Sequence, residues 1–258
     1  RPDVLAHFAQ AFAPAGFSDK AFVPSYGLAE ATLAATMVRP GTGLRPEILD
    51  LDALEQDGVA RPTDTGRLRA FARCGTPLPG TQLRIVDGTG RPLSEGRVGR
   101  VQVRGPSLMA GYFHEPEETA RVLGPDGWLD TGDLGLLTEG ELLITGRAKD
   151  LIIVNGRNLW PQDLEWAAEM VPPLRPGDVA AIGHDAEGAE QVVLLVQCRL
   201  PDMAARDRLA QAVGAAVMSS SGVLCRVVLV PPHALPRTSS GKLARAHARR
   251  LLVEGAFG

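Results

Sequence analysis

The run Pro236-Arg237-Thr238-Ser239-Ser240-Gly241-Lys242-Leu243 carries one lysine on a hydroxyl- and glycine-rich turn, just ahead of a basic helix. A compact ammonium on a flexible stem suits a negative charge that develops on a phosphate or carboxylate. The same run also reads as an ordinary turn, because Ser-Ser-Gly before a helix needs no chemistry to explain it. It is not a Walker A loop, which requires glycine five residues before the Gly-Lys pair and Ser or Thr after the lysine. Those positions hold Pro236 and Leu243. A functional Lys242 is therefore expected to reach a nucleotide bound elsewhere.

Four further constellations carry groups of the right type. Tyr26-Gly27-Leu28-Ala29-Glu30 offers an aromatic ring to a base and a carboxylate to a divalent cation held by phosphates. Taken alone it reads better as a strand-to-helix turn, with Glu30 in the first turn of the helix. Gly127-Trp128-Leu129-Asp130-Thr131-Gly132-Asp133 brackets two carboxylates between glycines in a predicted tight loop leading into a strand. A carboxylate fixed there can accept both hydroxyls of a ribose, though a plain hairpin turn fits equally. In Gly146-Arg147-Ala148-Lys149-Asp150, the Arg147 fork suits ribose or phosphate oxygens, and Asp150 reads as half of a solvated charge pair. A charged residue at a domain boundary, such as Lys149, can also serve as a hinge. Gly156 to Glu165 reads as a capped helix entry, with Asn158 or the helix's own acids meeting early amides. Trp160 and Trp166 read as packing residues.

The elements that must position these groups differ between the two parts of the chain. Val4, Leu5, Phe8 and Phe12 recur at helical spacing before Pro14 and Gly16 break the pattern. Phe22 and Val23 suggest a short strand. The stretch 39–82 is rich in Pro, Gly, Asp and Arg, with Ile48 to Leu54 as its main apolar patch. Strands are predicted at Leu83–Val86, Val98–Val103 and Leu142–Ile144, and a short surface helix at 115–123. After Lys149, strands (151–154, 179–182, 192–196, 227–230) interleave with helices (161–170, 202–218, 242–253). That alternation suits a small α/β or α+β domain and puts a boundary near 148–150.

Composition narrows the classes. The chain has 258 residues, 45% of them hydrophobic and 22% charged, with net charge −3. That balance argues against an electrostatic nucleic-acid binder, and sparse aromatics argue against a base-stacking platform. Three scattered cysteines and five histidines without ligand spacing point to neither disulfides nor a zinc site. No run reaches membrane-spanning length and the N-terminus does not read as a signal peptide, so a cytoplasmic location and no stable membrane insertion are expected.

In order and spacing, YGLAE, GWLDTGD, GRAKD, GRN..PQDLE and PRTSSGKL together resemble the acyl-adenylate-forming ligase superfamily. Within it they are most similar to fatty acyl-AMP ligases, through YGLAEATL at 26–33, KDLIIVNGRN at 149–158 and PQDLE at 161–165. The segment 39–72 before Cys74-Gly75-Thr76-Pro77 stands where those ligases carry an insertion. Leu159-Trp160 stands where that branch usually has His-Tyr, and Gly99-Arg100 where Gly-Glu is usual. The resemblance implies an α/β (α+β) fold. Residues 1–148 would be the distal, strand-rich, β-barrel-like part of the large domain, and 149–258 a small mobile α/β domain. It implies ATP and Mg2+, a fatty acid substrate and an acyl carrier protein as partner. Tyr26 and Gly27 would lie at the adenine, Glu30 at the magnesium ion, and Asp133 and Arg147 at the ribose. Lys149 would be the hinge and Lys242 the catalytic lysine. The family's phosphate-gripping loop has no counterpart in residues 1–25, so an upstream part of the ligase is expected to be missing. The alternatives are an acyl-CoA synthetase, a peptide-synthetase adenylation domain, or a non-catalytic interaction module derived from one.

Overall fold

In the computed structural model, which describes residues 1–186, 189–239 and 241–257, the chain divides between Ala148 and Lys149 into two units. Ser240 of the lysine run lies outside the described residues.

The first unit begins with α1 (Pro2–Phe12), whose Phe8 meets Phe12, Phe17 and Phe22 in a ring cluster. Short elements follow: β1 (Ser25–Tyr26), β2 (Thr36–Met37), β3 (Pro46–Asp50), α2 (Leu51–Asp57), β4 (Leu68–Ala72) and β5 (Thr76–Pro77). The rest is β6 (Gln82–Val86), β7 (Gly99–Arg104), α3 (Pro116–Val122), β8 (Leu129–Thr138) and β9 (Glu141–Arg147). Three sheets result, in the orders β1-β2-β5, β3-β4 and β6-β7-β8-β9. Among the described residues they remain open sheets, so the barrel-like expectation is corrected. Alternation along β6 to β9 turns Ile85, Val101, Val103, Leu129 and Leu142 into one core with Tyr26 and Ala35.

Two local expectations change. Phe22 and Val23 form no strand, because a 3-10 turn ends at Ala21 and Pro24 has no N–H to give a ladder. The predicted GWLDTGD loop is mostly strand, since Leu129 to Asp133 belong to β8. Arg100 faces Leu134 and Gln102 faces Asp130, so Thr131, Gly132 and Asp133 bulge out opposite Val101 alone. Gly132, at φ 72°, takes the left-handed conformation within that bulge.

The second unit opens with a hairpin of β10 (Ile152–Val154) and β11 (Arg157–Leu159). Asn155 and Gly156, both at positive φ, form its two-residue turn. The stretch expected as a helix entry is therefore a strand, and the cap residue of α4 (Pro161–Glu169) is Trp160, not Asn158. Trp160 is buried, in keeping with a packing role. The main sheet joins β12 (Val179–Ala186), β13 (Ala189–Gln197) and β14 (Cys225–Val230), with β12 antiparallel and β14 parallel to β13. The parallel pair requires a crossover, supplied by α5 (Met203–Ser221). Val192, Leu194 and Val196 join a core with residues of α4 and α5, while Val193 and Leu195 face Ala248 of α6 (Arg245–Val253). Burial on both faces explains the unbroken apolar run of β13.

Cys74, Cys198 and Cys225 are free, and no cluster of metal-binding side chains occurs among the described residues. Nor is any described helix long and apolar enough to cross a membrane.

Candidate active site

The bulge in β8 decides where Asp133 points. The Thr131 hydroxyl donates to the Val101 carbonyl at 2.9 Å and accepts the Asp133 N–H at 3.1 Å. Asp130 accepts the Gly132 N–H at 2.9 Å. The backbone of the DTGD run is thus closed on itself, and the Asp133 carboxylate is left for side-chain partners. Its Oδ2 accepts the Tyr26 hydroxyl at 2.6 Å and its Oδ1 accepts Arg147 Nε at 2.8 Å. Arg147 arrives because β8 pairs Asp133 with Arg147 across the ladder. At 7% exposure the carboxylate is held in one orientation, with a second lone pair on each oxygen. Burial and the adjacent Asp133 push the Tyr26 phenol well above its usual range, so it remains a donor.

Gly27 follows Tyr26 for a steric reason. A Cβ there would lie 1.7 Å from the Leu33 carbonyl oxygen. The chain folds back over it through a tight turn at Thr32 (φ 68°, ψ −59°), closed by the Leu33 N–H on the Ala31 carbonyl at 2.8 Å. This positive-φ γ-turn is rare and strained for a β-branched residue. The Thr32 hydroxyl anchors it by donating to the Ser107 carbonyl at 2.9 Å. Glu30 lies in the 3-10 turn Ala29–Ala31, not in an α-helix.

Tyr112, which belongs to none of the sequence motifs, donates its hydroxyl to Glu30 Oε1 at 2.8 Å. Burial and the Glu30 carboxylate raise the Tyr112 phenol. The Met109 N–H on the Glu30 carbonyl at 2.8 Å draws that segment alongside. Glu30, Tyr112, Thr131, Gly132 and Arg147 line a cleft of about 170 Å³, with Arg100, Arg121 and Asp130 on its walls. Arg100, at a position where the resembling ligases usually carry glutamate, donates to Asp130 at 2.7 Å.

The donor set can be tested against the implied magnesium ion. Glu30 offers one carboxylate whose Oε2 is not engaged by Tyr112, and among the described residues no three-carboxylate cage surrounds it. That fits an ion brought by nucleotide phosphates and water, which commonly needs only one or two protein carboxylates.

Lys149 and Lys242 belong to the second unit. Lys149 is exposed in a 3-10 turn and lines a cleft of about 110 Å³ with Asp150, Arg245 and Arg249. Asp150 is not a solvated charge: its Oδ2 accepts Arg245 at 3.3 Å. The fold half-buries it beside Arg245, a partner 95 residues away. Lys242 is exposed on a small hairpin. Thr238 N–H donates to the Lys242 carbonyl at 2.7 Å, Lys242 N–H to the Thr238 hydroxyl at 3.1 Å, and Gly241 turns at φ 81°.

Residues 1–113 match the model of the AMP-binding enzyme family. A Caulobacter vibrioides protein, whose designation as an acyl-CoA synthetase is provisional, is 53% identical over 98% of this chain and 45% of its own length. JamA of Moorena producens, a medium-chain-fatty-acid–[acyl-carrier-protein] ligase, is 35% identical over 99% of this chain and 46% of its own. A solved chain from work on fatty acyl-adenylate ligases of E. coli and L. pneumophila superposes with TM-score 0.92 at 41% identity, covering 99% of this chain and 46% of that one. The chain thus spans about half the length of the relatives it matches. Its first 113 residues match the AMP-binding enzyme family, and over nearly its whole length the chain is similar to part of the acyl-CoA synthetases and fatty acyl-adenylate ligases.

Proposed function

We propose that this chain serves a ligase that activates a fatty carboxylate with ATP and passes the acyl group to the phosphopantetheine thiol of an acyl carrier protein. Residues 1–148 act as the distal part of the large domain and 149–258 as its small mobile partner. The observation that carries the reading is the Asp133 carboxylate held at both oxygens, by Tyr26 and Arg147, beside a cleft that also takes in Glu30. A fixed bidentate acceptor is what the two hydroxyls of a ribose require.

In the first step a carboxylate oxygen attacks the α-phosphorus of ATP, and the α–β phosphoanhydride bond breaks to release pyrophosphate. Asp133 and Arg147 orient the ribose, and Gly27 keeps the Tyr26 turn clear of side-chain bulk. The Lys242 ammonium offsets charge that builds on the α-phosphate and the incoming carboxylate. Glu30, steadied by Tyr112, would hold a magnesium ion that neutralises phosphate charge when bound. In the second step a rotation at Lys149 withdraws Lys242. The thiol then loses its proton and its sulfur attacks the acyl carbonyl, expelling AMP with the bonding pair. A cytoplasmic setting supplies ATP and the carrier.

The test is to incubate the full-length ligase with ATP, magnesium and a pool of carboxylic acids, and to seek acyl-adenylates by mass spectrometry. A fatty acyl-AMP is expected, and silence overturns the activity in favour of a non-catalytic module. The acyl-CoA synthetase reading is favoured by the designation of the Caulobacter relative. Offering CoA against a holo carrier protein decides between them.

A further inference from the structure

Lys242 is exposed on a glycine-containing turn, so its loop needs anchoring from both flanks. Before it, Arg237 donates to the Gly177 carbonyl at 2.9 Å and to the Gly241 carbonyl at 3.0 Å. After it, three residues on, Arg245 opens α6 and is more firmly held. Arg245 Nε and Nη2 donate to the two oxygens of Glu165 at 2.9 and 2.7 Å, and Nη1 reaches Asp150 at 3.3 Å. The Arg245 side chain is only 16% exposed. Glu165 also accepts the Ala181 N–H of β12 at 3.0 Å. One guanidinium therefore ties the start of the lysine's helix to α4, to the central sheet and to the residue next to Lys149.

A buried ion pair of this kind contributes little net stability compared with apolar packing, because desolvation offsets the attraction. What the planar fork supplies is orientation, since two parallel bonds to one carboxylate fix both direction and distance. We infer that Arg245 is a positioning residue for Lys242 in the adenylation half-reaction, acting through the loop that joins them. This rests on Lys242 being the catalytic lysine, and the test separates the two claims.

In the full-length ligase, Lys242→Ala should slow adenylation by ~10²–10³. A loss under fivefold overturns the role of Lys242 and the inference with it. Arg245→Lys keeps the charge and removes the fork, and should slow adenylation about 10- to 100-fold, the scale of a small misplacement of a reacting group. Transfer to thiol from supplied acyl-adenylate should stay within about twofold of wild type, because Lys242 does not serve that step. In the Lys242→Ala background, Arg245→Lys should add less than about a further twofold, since both changes remove one unit of function. Equal loss in both half-reactions, or losses that multiply with Lys242→Ala, overturns the positioning role and leaves the lysine assignment standing. Asp150→Asn, which leaves the fork on Glu165, guards against misfolding of the first variant. It should slow adenylation by roughly two- to tenfold and lose that effect when Lys242 is absent. A loss of the same size when Lys242 is absent overturns the inference.

Discussion

Tyr26→Phe deletes one oxygen and tests whether Asp133 is held as described. The lost bond is short, 2.6 Å, and ends on a carboxylate that is 7% exposed, so water cannot simply replace the donor. Hydrogen bonds to charged groups contribute about 1.5–3 kcal/mol, and an unmet buried acceptor costs a similar amount. The upper limit for a wholly unpaired buried charge does not apply, because Arg147 still meets Oδ1. A loss of ~1.5–3 kcal/mol corresponds to a fall in hydrogen-exchange protection of about 10- to 150-fold where exchange follows opening of the sheet. The assay is exchange measured by mass spectrometry on peptides spanning β8 and β9, with β12 of the second unit as internal control. Saturating AMP should recover part of the loss, since a ribose hydroxyl can donate where the phenol did. A fall under about threefold in β8 would refute the claim that Tyr26 fixes Asp133.

Three further changes follow the same logic. Gly27→Ala drives a methyl to 1.7 Å from the Leu33 carbonyl, so the turn must rebuild, and adenylation should fall by more than ~10²; kinetics within twofold of wild type would show the loop yields freely. Lys149→Pro should spare adenylation and stop thiol transfer, and equal loss in separate half-reaction assays would argue against a hinge. Asp178 gives a pH prediction. Burial alone would raise its carboxyl, but the Arg199 fork at 2.7 and 2.9 Å and the Arg175 N–H at 3.0 Å hold it below the usual range. A depressed carboxyl stabilises the fold above its unfolded value of about 3.9, and that contribution is lost as pH falls through the folded value. Calorimetry from about pH 6 downward should show a shallower acid decline of melting temperature in Asp178→Asn, and identical slopes would sink the assignment.

The sequence made most of the elements legible, because their signals are local. The second unit's helices and apolar strands begin within a few residues of where periodicity put them, and α4 starts on Pro161 as expected. The Asn155-Gly156 pair is a plain local hairpin signal, but Arg157 to Leu159 pair as a strand only because β10 lies across from them, which the helix-start signal at Pro161 does not convey. Partners far along the chain were not legible. Nothing near Tyr112 announces Glu30, 82 residues earlier, and nothing near Asp150 announces Arg245. The DTGD run looked like a loop because its glycines and acids are loop-forming types. Only the pairing of β8 with both β7 and β9 turns it into a bulged strand, and that pairing is a property of the whole sheet.

The parallel strand β14 closes one side of the second unit's sheet, and its run Cys225-Arg226-Val227-Val228-Leu229-Val230 holds a single charge. Just before it, Leu224 is 80% exposed. The three valines of β14 favour the strand, and among the described residues no further strand pairs its outer side, the kind of margin onto which another strand can add. Arg226 is then a gatekeeper, a charge that makes such addition unfavourable. In salt that screens charge, the protection that Arg226 gives this margin should weaken, far in sequence from Asp133 and Lys242.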